Sequence, residues 1–577
     1  MDSRSAAHVL TQIAEFLELN GENRFKTRAY RTAAKAVLAL DTDDIGPAFR
    51  SGELERLAGL GPATLAVLRD LVRMGESRLY EQLRESTPEG LLEMRRVPGL
   101  GTTKIRLIHD QLGLETLHEL EEAARDGRLA ALQRFGPRTA EKILRGIAFL
   151  RETGALVLYP HALAEARRLL ESVRWHPDVI AAQVAGSLRR HREIIRDIDI
   201  VAACRVAPAR VAASFARAPG VRGVAGGGDR SITIRYVDGT LLDLHCVSPD
   251  ELPVALWRAT GSDVHVRDVT AHATARGFSF IGDRLHAPGG QPLSLADEPA
   301  LYHALGLAYV PPELREGRGE TAAAERDALP ELVALDDIQG ILHCHSQYSD
   351  GASTIVEMAA AARAHGWSYL GVSDHSQSAF YAGGLSLEAI DAQHEEIDQL
   401  NGALDGFRVL KGIEADILPC GRVDYDGMTL DRFDYVIASI HSRFGMDEAQ
   451  MTERVLKALD DPHLTVLGHP TGRLLLTREP YAIDMDAVLE KAAERGVAVE
   501  LNADPHRLDL DWRMLKTAKE KGVMVEIGPD AHSTQGLDNM ALGVGIARKG
   551  WLERDDVLNA LPAAVVLEHA RRRRSIG

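Results

Sequence analysis

His343 and His345 of "GILHCHSQYSDG" (340–351) stand two residues apart where a buried apolar strand is expected, with Asp350 just beyond. Similar side chains recur wherever a later apolar run stops: Asp374 and His375 in "GVSDHS", Glu414 and Asp416 in "GIEADIL", His441 in "SIHS", His469 in "GHPTGR", and Asp530 and His532 in "GPDAHS". One histidine at a strand end is usually a hydrogen-bonded structural residue, but a set spread over six runs exceeds what packing requires. Imidazole combined with carboxylate suits Zn²⁺, Mn²⁺ or Fe²⁺ better than Ca²⁺. His365, His394, His463, His506 and His569 fall on helices or connections and are given no ligand role.

A second set, made of carboxylates, lies upstream. In "RDIDIV", Asp197 and Asp199 share one face of an expected strand, and Asp243 in "TLLDLHC" is embedded among leucines, where an unpaired carboxylate is costly. If the three converge they need cations, and two Mg²⁺ or Mn²⁺ ions about 4 Å apart stabilise both the attacking and the leaving oxygen of a phosphoryl transfer. The bland reading is solvated strand-end charge. Gly186, Ser187 and Arg190 in "VAGSLRR" offer a small-residue turn, a hydroxyl and a cation suited to a triphosphate.

The elements that must position these groups change character along the chain. Residues 1 to about 150 alternate helical periodicity with glycine turns, and two segments about forty residues apart, "LAGLGPATLAVL" and "VPGLGTTKIRLI", repeat one pattern, with "QRFGPRTAEKIL" a weaker third copy. Gly59, Gly61, Gly99 and Gly101 permit positive φ, exposing backbone N–H groups at helix N-termini where a phosphate is favoured. A tight turn needing glycine for geometry alone is the alternative. From about 156 to 250 the strands of a mixed sheet follow, then a small α/β segment, and the Pro311-Pro312 pair with "REGRGETAAAERDA" reads as a linker. After 338, seven strand candidates mostly separated by helices predict a (β/α) barrel with reactive groups at the carboxyl ends of its strands.

With 577 residues the chain exceeds one core. No apolar run approaches the roughly 20 residues that span a bilayer, and the N-terminus is unlike a secretory signal, so a cytoplasmic protein without membrane contact is expected. Cys204, Cys246, Cys344 and Cys420 lack C-x-x-C spacing and read as small buried apolar residues. A net charge of -17 argues against a polyanionic partner, although a sum conceals local patches and bound cations would offset clustered carboxylates.

The repeated glycine turns resemble the helix-hairpin-helix module, which holds DNA backbones without reading sequence. The order of those turns, "GSLRR", "DID", "LLDLH", "TGS" and "YVPPELREGRGE" resembles the bacterial and archaeal family X DNA polymerases, which are DNA polymerase beta-like, across residues 1 to about 320. The resemblance implies that Asp197, Asp199 and Asp243 hold two metals, that Ser187 and Arg190 contact a deoxynucleoside triphosphate, and that Gly261 and Ser262 shape its pocket. Lys26, Tyr30 and Arg31 match the family's 5′-phosphate pocket. Four residues depart from the pattern. Arg258-Ala259 replaces an aromatic pair under the deoxyribose, Val266 replaces an asparagine that reads the nucleotide edge, and Val67 occupies the place of the lyase lysine.

The strand-end motifs resemble the PHP (polymerase and histidinol phosphatase) domain from 338 to 577. That implies three metals, Zn²⁺ and/or Mn²⁺. His343, His345, Glu414 and Asp530 would hold one, Glu414, His441 and His469 a second, and Asp350, His375 and His532 a third; Asn502, Arg507 and Asp509 would orient substrate or form a solvated loop. The fold expected is multidomain α/β: a helical DNA-binding domain (1–84), helix-hairpin-helix fingers (85–152), a nucleotidyltransferase-type palm with a mixed sheet (153–250), a small thumb-like subdomain (251–318), a linker (319–337) and a distorted (β/α)7 PHP barrel (338–577). The function implied is a monomeric repair enzyme acting on gapped or nicked DNA and its 3′ ends, one that joins gap filling to metal-dependent 3′-5′ exonuclease, 3′-end processing and abasic-site cleavage. Two alternatives stand beside it: a PHP nuclease whose polymerase half serves as a DNA-binding module, and a small-molecule phosphatase. The terminal "RRRR" (571–574) is read as solvated or touching DNA.

Overall fold

Apolar positions of "SAAHVLTQIAEFL" recur every three to four residues and fold as the helix Ser3–Leu19, burying Leu10, Ile13 and Leu17 with Tyr30, Ala33 and Val37 of the helix Arg24–Leu38. The computed structural model describes residues 3–576 except 41, 43–44, 75–76, 87–90, 92–93, 96, 98–99, 133–134, 154–155, 219–220, 226–229 and 237–239. The chain divides into two units, 1–155 and 156–577.

The first unit is helical and has two cores. Ile45, Leu54, Val67, Leu68 and Leu71 complete the first; Ile105, Ile108, Leu120, Leu129, Ile143 and Ile147 build the second from the helices Thr102–Leu112, Leu117–Arg125, Arg128–Ala131 and Pro137–Thr153. Of the turn glycines, Gly59 takes the left-handed conformation (φ +96°), and a Cβ there would lie 2.8 Å from Thr32 Cγ2. Gly61 and Gly101 do not, so positive φ is not their reason; a Cβ on either would meet nothing within 4 Å, which leaves the backbone approachable. Gly99 lies outside the described residues.

The second unit opens with β1 (Val157–Leu158), which pairs with β3 (Ile194–Ile195). Its mixed sheet consists of β2 (Val179–Val184), β4 (Ile198–Cys204), β5 (Val221–Ala225), β6 (Ser231–Tyr236) and β7 (Leu241–Val247) in the order β2-β4-β7-β6-β5, with only β4 and β7 parallel. The helices Leu252–Thr260 and Asp263–Ala275, the hairpin β8 (Ser279–Ile281) to β9 (Arg284–His286) and the helix Glu298–Ala304 follow around Trp257 and Tyr302. The polar stretch read as a linker is folded. Arg315 is fully buried and paired with Glu298 (2.5 Å), while Glu320 opens the helix Glu320–Glu325 and meets His265 Nδ1 at 2.8 Å, so its charges are neutralised inside rather than solvated.

Seven parallel strands then run in sequence order: β10 (Gly340–Ile341), β11 (Tyr369–Val372), β12 (Arg408–Asp416), β13 (Tyr435–Ser439), β14 (Leu464–Leu467), β15 (Ala498–Asn502) and β16 (Val525–Gly528). They form a nearly closed barrel. At its upper rim Cys344 bridges Ala531; lower down, the Asn559 side chain bonds Gly340 O, Ile527 O and Ile527 N, stitching first strand to last. β10 is shorter than expected, and Leu342 to His345 continue as buried chain after it. The helix Ala563–Ile576 closes the base with Val566, Leu567 and Ala570. Here the tail differs from expectation: Arg573 is buried on four backbone carbonyls (Leu464, Arg495, Leu459, Asp461) and Arg574 bonds Phe433 O. Of the cysteines, Cys420 is exposed and the other three buried.

Candidate functional sites

In the mixed sheet, the parallel register sets Asp199 directly beside Asp243, and Asp197 immediately precedes β4 two residues away. Gly186, at φ +63°, packs so closely that a Cβ would lie 1.7 Å from Asp199 Oδ2; no other residue fits there. Burial, then the neighbouring charges of Asp197 and Asp243, push the Asp199 carboxyl up to about 7. Burial and Asp243 raise Asp197 in the same direction. Thr233 Oγ1 donates to Asp243 at 2.5 Å. Two carboxyls pushed toward their protonated forms beside a third carboxylate are a set that a divalent cation would relieve.

Ser187 sits on the single turn Gly186–Arg189 above them. Arg190 donates from Nε to Glu316 (2.9 Å) and from NH1 to Thr260 O (2.7 Å), so part of its guanidinium is already engaged. Ser262 caps the helix Asp263–Ala275, and Gly261 precedes it with Val266 Cγ2 only 2.9 Å from where a Cβ would stand. Arg258 is turned to Asp283 (2.6 Å), and Ala259 lines a cavity of about 190 Å³ with Asp199, Thr233, Asp243 and His245. In the N-terminal unit, Lys26 is exposed and pairs with Glu22 (3.3 Å), Arg31 pairs with Glu18, and Tyr30 is 2% exposed within the first core. Val67 is buried in that core too.

The barrel rim gathers every histidine assigned to it. Glu414, inside β12, is ringed by His375 Nδ1 (2.9 Å), His469 Nε2 (3.0 Å), His441 Nε2 (3.3 Å), His343 Nε2 (3.6 Å) and His345 Nε2 (3.7 Å). Asp530 lies 3.2 Å from His345 and 3.6 Å from His343. Asp350 lies 3.4 Å from His532, 3.7 Å from His375 and 3.8 Å from His345. Three overlapping groups could each hold an ion: His343 with His345 and Asp530; His375 with Glu414 and His441; and His345 with Asp350, His375 and His532. His345 and His375 therefore each belong to two groups, whereas the expected partition gave each to one.

The donor set fits divalent cations. His343 Nε2, both His345 nitrogens, His375 Nδ1 and His469 Nδ1 are buried without a hydrogen-bond partner, which is costly for groups with nothing to coordinate. Burial depresses His345 to about 4 and His469 to about 3, keeping their rings neutral and able to donate a lone pair. Burial also opposes charge on His441 and His532, but Glu414 with Asp416, and Asp350 with Asp530, outweigh it and raise each to about 9. His469 (φ +22°) and Asp530 (φ +48°) sit in left-handed backbone, strain of the kind that collects at functional sites.

Orienting partners stand behind the ligands. Glu500 accepts from His343 Nδ1 (2.5 Å) and from His469 N (2.5 Å), and Asp416 meets His441 Nδ1 (2.7 Å), aiming each Nε2 inward. Glu500 was missed in the sequence, although its two-residue spacing from Asn502 on an apolar strand marks an inward polar face. Asp374 is turned away from the cluster, accepting from Ser346 N and Oγ, Ser349 Oγ and Gln393 Nε2 to hold the first motif's loop. Asn502 and Arg507 both approach Asp530 Oδ2, at 3.0 and 3.3 Å, while Asp509 is occupied by Thr471.

A polymerase-type sheet with a carboxylate trio and a seven-stranded histidine-rimmed barrel define the class: a two-site metal-dependent phosphoryl-transfer protein. Comparisons agree. The helix-hairpin-helix domain family matches residues 1–77, the SAM-like helix-hairpin-helix tandem 91–148, the DNA polymerase beta thumb 255–316 and the PHP domain 342–504. The DNA polymerase/3′-5′ exonuclease PolX of Bacillus subtilis (strain 168) is 37% identical over 568 residues, 97% of this chain and 98% of its own. Probable phosphatases of Syntrophotalea carbinolica and Shewanella sp. (strain ANA-3) match 28% of the chain, at 30% and 32% identity, over 64% and 60% of their lengths. The chain belongs to the PolX family, the family X DNA polymerases that carry a C-terminal PHP domain.

Proposed function

We propose that the protein is a two-headed DNA repair enzyme: a template-directed gap-filling polymerase in residues 1 to about 318 and a metal-dependent 3′-5′ exonuclease and 3′-end-processing enzyme in the barrel. The observation that carries the nuclease half is the Glu414 carboxylate ringed by five imidazoles. Full-length similarity to a polymerase/exonuclease, with the Asp199 and Asp243 pair in register, supports the polymerase half.

Asp197, Asp199 and Asp243 would hold two Mg²⁺ or Mn²⁺ ions, and Ser187, Arg190, Gly261 and Ser262 would seat a deoxynucleoside triphosphate. His343, His345, Asp350, His375, Glu414, His441, His469, Asp530 and His532 would hold up to three Zn²⁺ or Mn²⁺ ions. Bound there, such ions activate water near neutral pH and polarise phosphoryl oxygens. The chain's own part is positional. Glu500 and Asp416 fix the ligand rings, and Arg507, beside Asp530, presents a cation to the phosphodiester. Gly59, Gly61, Gly99 and Gly101 would approach DNA phosphates, with Lys26 and Arg31 as flanking cations. We place the functional boundaries at 84/85, 152/153, 250/251, 318/319 and 337/338, and expect a cytoplasmic monomer.

A second reading, in which the polymerase half mainly delivers DNA to the nuclease, is favoured by one feature: Ala259 leaves a cavity beside Asp199 and Asp243. Primer extension on gapped DNA separates the two, comparing wild type with Asp199→Ala and His345→Ala. Extension lost only in the first and 3′ degradation lost only in the second supports two sites. No extension by wild type supports the delivery role.

A further inference from the structure

The turn carrying Ser187 and Arg190 is fastened from the barrel side. After the turn Gly186–Arg189 the chain passes through His191, left-handed at φ +53°, to Arg192 and Glu193. His191 stacks on Tyr159 (5.0 Å) and presses on Gly545 of the barrel helix Asn539–Lys549, where a Cβ would come within 2.3 Å of its Nδ1. Glu193 is buried and pairs with two barrel arginines, Arg513 (3.2 Å) and Arg473 (3.8 Å).

Lys549 makes the most telling contact. Its buried ammonium lies 4.3 Å from the Trp512 ring centre and donates to Arg190 O (2.9 Å) and to Glu316 Oε1 (2.5 Å). Arg190 Nε donates to that same oxygen at 2.9 Å, and Arg192 approaches the other at 3.6 Å. Glu316 faces three cations, and Glu193, 4.0 Å from Arg192, is itself shared with Arg513 and Arg473, so positive charge stays in excess at the turn, where an anionic ligand would profit from it. If Lys549 were neutral, Glu316 would bear on Arg190 undivided, and the Arg190 carbonyl would lose its donor.

We infer that Lys549, a barrel residue, is a positioning residue of the nucleotide-transfer site: by sharing Glu316 with Arg190 and holding the Arg190 carbonyl, it keeps the guanidinium available to an incoming triphosphate. The inference rests on the reading of Ser187 and Arg190 as triphosphate contacts. The barrel then contributes to nucleotide affinity as well as to hydrolysis.

Steady-state extension of gapped DNA, with nucleotide concentration varied, tests this in the full chain with Lys549→Met, Lys549→Arg and the double variant Lys549→Met with Glu316→Gln. The first should raise the nucleotide KM about tenfold with kcat changed less than twofold, as expected for losing help to one charge-assisted contact. The arginine variant should stay near wild type. The double variant should recover most of the affinity, because the competing carboxylate is gone. If Lys549 only props the fold, the double variant will be worse than the single one and barrel 3′-5′ hydrolysis will fall alongside extension; that result overturns the inference. An unaltered KM in Lys549→Met overturns it as well. Absence of extension by wild type instead overturns the polymerase reading on which it rests.

Discussion

Asp199 provides a quantitative test of the carboxylate site. Its carboxyl, raised to about 7 by burial and by Asp197 and Asp243, must lose its proton before it can bind a cation. A group with that pKa is about nine-tenths protonated at pH 6 and about one-tenth at pH 8. Mg²⁺ binding should therefore release about 0.9 proton at pH 6 and about 0.1 at pH 8, and apparent affinity should weaken about tenfold per pH unit below 7. Stability follows the same linkage with the opposite sense. Because the folded value lies above the unfolded value, the stabilising contribution is complete below about pH 4 and is lost as pH rises through 7, on the order of 4 kcal/mol in chelator. Calorimetric titration of Mg²⁺ into chelator-treated protein, in two buffers of different protonation enthalpy at pH 6, 7 and 8, reads the proton count directly. Mg²⁺ is the right titrant because its preference for oxygen ligands spares the imidazole-rich rim. Asp199→Asn should remove most of the pH-dependent release, leaving only the share of Asp197. Equal release at pH 6 and 8, or the same release in the variant, would refute the reasoning.

Glu500→Gln should leave the barrel folded by circular dichroism yet weaken metal retention by about 10- to 100-fold in a chelator competition, because the amide keeps one acceptor oxygen where the carboxylate serves both His343 Nδ1 and His469 N, and the charge behind His343 is gone. Arg573→Ala should lower barrel stability by about 3 kcal/mol, read from the denaturant midpoint, since four carbonyls lose a charged donor; Arg571→Ala, at an exposed position, should stay within about 0.5 kcal/mol. Borohydride treatment with abasic-site DNA should trap no covalent adduct through residues 1–155, because buried Val67 offers no amine where the family's lyase lysine stands; a trapped adduct would show another nucleophile.

The barrel was legible because its ligands fall at regular places, the carboxyl ends of apolar runs, and the helical N-terminal unit because its apolar spacing matches the helical period. How the ligands divide was not legible: His345 and His375 reach into two groups each because strand curvature sets cross-barrel distances that spacing along the chain does not encode. Arg573 looked like solvated charge since a run of four arginines carries no mark of which one turns inward. The stretch around Arg315 and Glu320 looked like a linker because composition counts charges without seeing that they pair with Glu298 and His265.

Building and removing nucleotides at one 3′ end raises a problem of transfer, and the second unit constrains how it is solved. Arg473 bonds the carbonyls of Arg507 and Leu508, in the loop that brings Arg507 to Asp530, and also pairs with Glu193 behind the Ser187 turn. Parting the two loops would break the buried Glu193–Arg473 contact together with the half-exposed Glu193–Arg513 pair, which opposes their free separation. The spacing between the centres is thus set by packed side chains, not by a slack tether. A 3′ end leaving one centre for the other must then be carried by movement of the DNA itself. Glu193→Gln would loosen that spacing without touching either set of carboxylates, so it should alter the ratio of extension to degradation on one gapped substrate while each activity, assayed on its own preferred DNA, persists. If the ratio stays fixed, the ion pairs merely hold the fold.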